Sequence, residues 1–263
     1  CRESQPTSIP RRSPVLSSTR SILMKSSMSH EVKVRPGESL DEFLDGRLRV
    51  IQSAKGYRFS IDAVLLAQFV TVKRGDVVAD LGAGCGIISL LLLLEKPVAY
   101  VLALEIQKSL ADQAVRNASL NGVTDRMGVL VADLRRVPFR KPFADVVVCN
   151  PPYRRPGSGR VNPDLQRAIA RHEIMASLDD ILSAASAVLK PKGRVALIYP
   201  AGRLVDLLVR MRAFDLEPKR MQVVHPSMEE ESELVLVEGA RGGKGGVKIL
   251  PPLIDQGKFS IVS

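Results

Sequence analysis

From residue 76 to residue 237 the chain alternates short apolar runs with longer stretches whose apolar residues recur at helical spacing. Residues 76–79, 100–104, 127–131, 145–149 and 195–199 are apolar on both faces and too short for helices, so they predict strands buried in a parallel sheet. Residues 87–94, 109–120, 165–189 and 203–211 predict helices; the second is closed by Asn121-Gly122 and the third by Pro191. Residues 221–224 and 234–237 read as a closing hairpin. The alternation predicts an α/β fold: a doubly wound, mostly parallel seven-stranded sheet with that antiparallel hairpin at its end.

The flanks differ in composition. Residues 1–30 are rich in Ser, Arg and Pro, lack periodicity and begin with Cys, and they are expected to be a disordered basic tail or upstream sequence ahead of a start at Met24 or Met28. Their acid-poor character also admits a transit peptide. The main domain is expected over 31–240 and a basic extension over 241–263, with 239–248 a flexible loop. A length of 263 residues suits one such domain, and no apolar run approaches the roughly 20 residues that span a bilayer.

The net charge of +10 is clustered. Residues 1–36 hold seven Lys or Arg against Glu3 and Glu31. Arg154, Arg155, Arg160, Arg167 and Arg171 face only Asp164, and Arg241, Lys244, Lys248 and Lys258 face only Asp255. RNA is the polyanion such a pattern would suit, solvated surface being the alternative. The three cysteines, Cys1, Cys85 and Cys149, show no CxxC or Cys/His spacing, so neither a disulfide framework nor a metal site is expected, and a reducing cytoplasm fits.

The chemistry concentrates after the strands. Asp80 ends the first, and Gly82, Gly84 and Gly86 form a GxGxG turn into a helix, where glycine tolerates unusual dihedrals and lets a ligand approach the backbone. Ile87 stands where a dinucleotide fingerprint would place its third glycine. Glu105 ends the second strand and Asp133 the third. Helix capping would account for any one of these acids, but not for all three at successive strand ends. The fourth strand runs into Asn150-Pro151-Pro152-Tyr153 and then Arg154, Arg155 and Arg160.

The set Asp80-Leu-Gly-Ala-Gly-Cys-Gly, Glu105 and Asp133 resembles the class I S-adenosylmethionine-dependent methyltransferases. The resemblance implies that Asp80 and the glycine loop hold the amino-acid end of the cofactor, Glu105 its ribose and Asp133 its adenine. Asn150 to Tyr153 resembles the motif of members that methylate planar amino or amide nitrogens. There the Asn150 side chain and the Pro151 carbonyl would accept both N–H groups of a weakly nucleophilic amine, the prolines would stiffen the turn, and Tyr153 would stack on a flipped base. Arg154, Arg155 and Arg160 would then grip phosphates at the rim.

Two further stretches, "KGYRFSIDAVLLAQF" before the glycine loop and "ARHE" at 170–173, resemble the bacterial tRNA adenine-N6 methyltransferase group. That resemblance places Phe59 and Asp62 at the methionine end of the cofactor; core packing and helix capping are their structural alternatives. The expectation is a cytoplasmic enzyme that binds RNA, in particular tRNA, with neither membrane nor metal. Rival expectations are protein glutamine methylation, guanine-N2 methylation of ribosomal RNA, and a catalytically silent RNA-binding protein.

Overall fold

The structure is a computed structural model that describes residues 22–24, 32–54, 61–151 and 176–255. Val77–Leu81 (β4), Tyr100–Glu105 (β5), Met127–Val131 (β6) and Ala144–Cys149 (β7) form where the apolar runs predict strands. They pair in parallel in the order β6-β5-β4-β7, and Leu189–Pro200 (β8) pairs in parallel with β7. Leu216–His225 (β9) and Leu234–Arg241 (β10) form the hairpin, longer than expected, with β10 inserted antiparallel between β8 and β9. These seven strands are the predicted sheet.

Three short strands widen it to ten. Lys248–Ile249 (β11) and Leu253–Ile254 (β12) pair in parallel with β9. The reading of 239–248 as a flexible loop is therefore corrected. Its first three residues finish β10 and its last begins β11, while Gly242 and Gly246, with φ of 64° and 108°, turn the chain back along β9. Within 1–30 only Ile22–Met24 (β1) is described, and it pairs antiparallel with β6.

Helices cover both faces. Ile61–Phe69 (α1), Ile87–Glu95 (α2) and Lys108–Leu120 (α3) pack into one apolar layer, and Leu178–Val188 (α4) and Leu204–Ala213 (α5) into the other. Helix α2 is apolar all round and buries Ile87 through Leu93, as a helix wedged between sheet and neighbours must. Helix α3 presents Ala111, Ala114 and Ala118 to the sheet, and these small residues allow close approach. Helix α4 begins at a capping box, in which the Ser177 hydroxyl accepts from the Asp180 N–H at 3.2 Å and Asp180 Oδ2 from the Ser177 N–H at 2.9 Å. Residues 165–175 of the predicted helix lie outside the described residues.

Ahead of this core, Glu38–Phe43 (β2) and Leu48–Ser53 (β3) form a separate hairpin that the apolar pattern does not reveal. It docks on α3. Arg116 meets Glu38 at 2.5 Å and Asp112 at 3.0 Å, and Asp112 also meets Arg35 at 2.6 Å. Side-chain hydrogen bonding from Arg116 holds the Glu38 carboxyl down at about 2. A carboxyl depressed in the folded state adds stability above its ordinary pKa and loses it as pH falls through the folded value. Wild type should accordingly lose its stability advantage over Glu38→Gln between pH 4.5 and about 2, measured as the difference in urea midpoint across that range.

Candidate active site

The chain builds β4, β5 and β6 outward on one side, then returns to place β7 and β8 on the other. The carboxyl ends of β4 and β7 thus flank the switch point at which doubly wound sheets bind ligands. Asp80 in β4 and Asn150, directly after β7, stand at that point.

The turn from β4 into α2 is held from three directions. The Leu104 carbonyl accepts the N–H groups of Gly82 at 2.9 Å and Ala83 at 3.0 Å, tying the turn to β5. Glu105 Oε2 accepts the Gly84 N–H at 2.9 Å, and its Oε1 accepts the Gln107 N–H at 2.8 Å. The Cys85 carbonyl accepts from Asn117 Nδ2 at 2.9 Å. Gly86 sits at φ 87°, and a Cβ there would lie 2.8 Å from Met127 Cε and 3.2 Å from Ala114, so the turn and α3 touch with no room for a side chain. Gly82, at φ 75°, has open space where a Cβ would stand.

Asp80 is 1% exposed. Its Oδ2 accepts from the Ser89 hydroxyl at 2.7 Å, and its Oδ1 is buried with no hydrogen-bond partner. Burial pushes this carboxyl up to about 7, against the Ser89 hydrogen bond, and Glu105 adds a smaller push in the same direction. Glu105 is also buried and also raised, chiefly by burial. An acid with an unsatisfied oxygen beside a backbone turn facing open space can receive a cationic ammonium. Each Glu105 oxygen already accepts one backbone N–H and retains a lone pair that can accept from a hydroxyl.

Asp133, after β6, is the N-cap of a short 3-10 turn, Leu134–Arg136. Its Oδ1 accepts the Arg135 N–H at 2.9 Å, and the Arg135 guanidinium grips Oδ2 at 2.7 Å. Arg135 holds this carboxyl below the usual range. A cavity of about 440 Å³ has Asp133, Arg135 and Arg136 in its described lining.

The structure therefore brings Asp80, Gly82, Gly84, Gly86 and Glu105 into direct contact or succession and sets Asp133 at the end of the next strand. Asn150 is half-buried and Pro151 buried at the end of β7. Asp62 lies in the first turn of α1, 4% exposed. Phe59, Pro152, Tyr153, Arg154, Arg155, Arg160, His172 and Glu173 lie outside the described residues. Cys85 and Cys149 are buried thiols, Cys85 pushed up to about 12 and Cys149 also raised, both by burial. His225, which shows no partner in the sequence, has its ring Nδ1 2.9 Å from the Glu230 carbonyl. Sequence reasoning missed Ser89, whose signal is a lone hydroxyl in the otherwise apolar "IISLLLLL", and Asn117.

Among the described residues no group of His, Cys, Asp and Glu could hold a metal, and no helix is long and apolar enough to cross a membrane.

Because Asp80 is raised in the folded state, its contribution to stability is present below about pH 4 and is lost as pH rises through about 7. Asp80→Asn should remove that dependence. The variant's melting temperature, measured without ligand, should match wild type below about pH 4 and exceed it at pH 8, a rise that corresponds to a few kcal/mol at ~1.4 per pKa unit.

The family model for the methyltransferase small domain matches residues 58–201, more than half of the chain. The chain is 31% identical over 206 residues to a tRNA1(Val) (adenine(37)-N6)-methyltransferase of Porphyromonas gingivalis, covering 75% of this chain and 80% of that protein. It is 30% identical over 182 residues to the Aeromonas hydrophila protein of the same name, covering 69% and 75%. Among solved structures, a predicted O-methyltransferase from Agrobacterium tumefaciens superposes with a TM-score of 0.59 at 24% identity, covering 74% of this chain and 88% of that one. A transferase from Pyrococcus horikoshii does so with a TM-score of 0.54 at 17% identity, covering 78% and 72%. The chain belongs to the methyltransferase small domain family and is a class I S-adenosylmethionine-dependent methyltransferase.

Proposed function

We propose that this enzyme methylates the N6 amine of an adenine in tRNA, with Asn150 and Pro151 clamping the amine. The observation that carries the proposal is the placement of Asn150-Pro151 at the carboxyl end of β7, one strand from Asp80, in a chain whose relatives are named for this reaction. We place the activity in the cytoplasm, with RNA as its macromolecular partner.

Bound S-adenosylmethionine supplies an electrophilic methyl group on a sulfonium. Asp80, with its free buried Oδ1, and the turn 82–86 would hold the amino-acid end, with Phe59 and Asp62 bordering it. Glu105 would accept from the ribose hydroxyls through the lone pairs its backbone bonds leave free. Asp133 would accept from the cofactor's adenine amine, and Arg135 competes for that carboxylate.

The target amine is a poor nucleophile because its lone pair is delocalised into the ring. Asn150 Oδ1 and the Pro151 carbonyl would each accept one of its N–H groups, orienting the nitrogen and stabilising the positive charge that develops there. No general base is needed in the methyl-transfer step, since the product ammonium loses its proton readily to water. Tyr153 would stack on the extruded base, and Arg154, Arg155 and Arg160 would bind the flanking phosphates.

Asn150→Ala should leave affinity for S-adenosylhomocysteine within about twofold and lower kcat on an unmodified tRNA transcript by about 10²–10³, the usual cost of removing one transition-state acceptor or donor. Wild-type kcat in that variant would refute the assignment. Reversing charge at Arg154 and Arg155 should weaken tRNA binding and reduce the slope of log K against log salt by about 0.7–0.9 for each phosphate no longer neutralised; an unchanged slope would remove these residues from the interface.

A further inference from the structure

Helix α3 carries Asn117, and Asn121 caps its C-terminal end one turn later; they face Ile51 and Arg49, two residues apart on β3. Each amide closes a reciprocal pair of bonds with the strand. Asn117 Oδ1 accepts the Ile51 N–H at 2.7 Å and its Nδ2 donates to the Ile51 carbonyl at 2.9 Å. Asn121 Oδ1 accepts the Arg49 N–H at 3.0 Å and its Nδ2 donates to the Arg49 carbonyl at 2.7 Å. A side-chain amide has the donor and acceptor of a peptide group, and i,i+4 on a helix nearly matches i,i+2 along a strand, so the two asparagines act as a surrogate β-ladder.

The two rungs differ in one respect. Asn121 is half-buried and sends its second N–H back to the Asn117 carbonyl at 2.8 Å, closing the end of α3. Asn117 is fully buried and sends its second N–H to the Cys85 carbonyl, in the middle of the glycine turn. One side chain thereby fixes the distance between β3 and the turn. Beyond β3 the chain re-enters the described structure at α1, whose buried Asp62 is one of the residues assigned to the same cofactor.

We propose that Asn117 is a positioning residue for the methyl donor: its amide sets the glycine turn and the N-terminal hairpin in one register, so that cofactor affinity depends on it beyond its part in holding the hairpin. The proposal rests on the assignment of the 82–86 turn as the cofactor site. A merely structural anchor would behave like Asn121.

The test compares Asn117→Asp and Asn117→Ser with Asn121→Ala in the full chain. It reads the dissociation constant for S-adenosylhomocysteine by calorimetry, the melting temperature, and amide exchange of residues 48–53. Asn117→Asp keeps the acceptor for Ile51 but faces two carbonyls with a carboxylate; Asn117→Ser is the milder change should the first not fold. Both should weaken binding at least tenfold, while Asn121→Ala, with comparable loss of melting temperature and comparable release of 48–53, should change it less than twofold. Wild-type affinity in both Asn117 variants, or equal weakening by Asn121→Ala, overturns the proposal. Binding by wild type that Asp80→Asn leaves untouched would overturn the site assignment and the proposal with it; loss in Asp80→Asn with none in Asn117 overturns the proposal alone.

Discussion

The molecule depends on how the turn after β4 is held. Three left-handed glycines at alternate positions, Gly82, Gly84 and Gly86, cannot fold the backbone into one shape by themselves, because glycine is the residue with most conformational freedom to lose. Fixed acceptors and donors around the turn supply that shape. Glu105 accepts from Gly84, the Leu104 carbonyl from Gly82 and Ala83, and the Asn117 amide donates to Cys85. Two of these come from β5 and one from α3, so the turn is rigid only once strand, helix and sheet are assembled. The absence of a Cβ at Gly86 then lets α3 close over it. The shape of the turn and the assembly of the fold are in this sense a single constraint.

That constraint also sets the electrostatics. Two carboxylates, Asp80 and Glu105, are buried close to one another with no buried basic side chain bonded to either among the described residues. Burial raises both, and an oxygen of Asp80 stays without a partner. Such an arrangement is costly in the free protein and favourable for a ligand that brings hydrogen-bond donors and a positive charge. Asp133 lies in a more exposed setting and is satisfied by its own neighbour Arg135, so its carboxylate is available only by exchange.

The parallel core was legible because each central strand is buried on both faces, and a run such as "VVVC" or "VLALE" has few other places to go. The acids were legible for the same reason: a charged residue ending a buried run needs a chemical justification. The hairpin was not. "ESLDEF" and "LRVIQS" are mixed in character, and what makes them strands is a row of polar side chains on α3, far along the chain, which sequence periodicity does not register. The pairing of 248–249 and 253–254 on β9 was hidden likewise, because the glycine-rich, basic stretch 239–248 that leads into them reads as a loop and only the edge of β9 decides otherwise. At the site, Ser89 and Asn117 act through partners 9 and 32 residues away, distances at which spacing alone carries no signal.

Whether this site methylates an adenine amine in tRNA is read by nucleoside mass spectrometry. Purified protein and S-adenosylmethionine would be incubated with RNA lacking the modification, separated into tRNA and ribosomal fractions, and with total protein in parallel. N6-methyladenosine should appear in the tRNA fraction, with no methylated guanosine or glutamine. Methylation of guanosine N2 or of a glutamine side chain, with the tRNA adenines untouched, would contradict the proposed function.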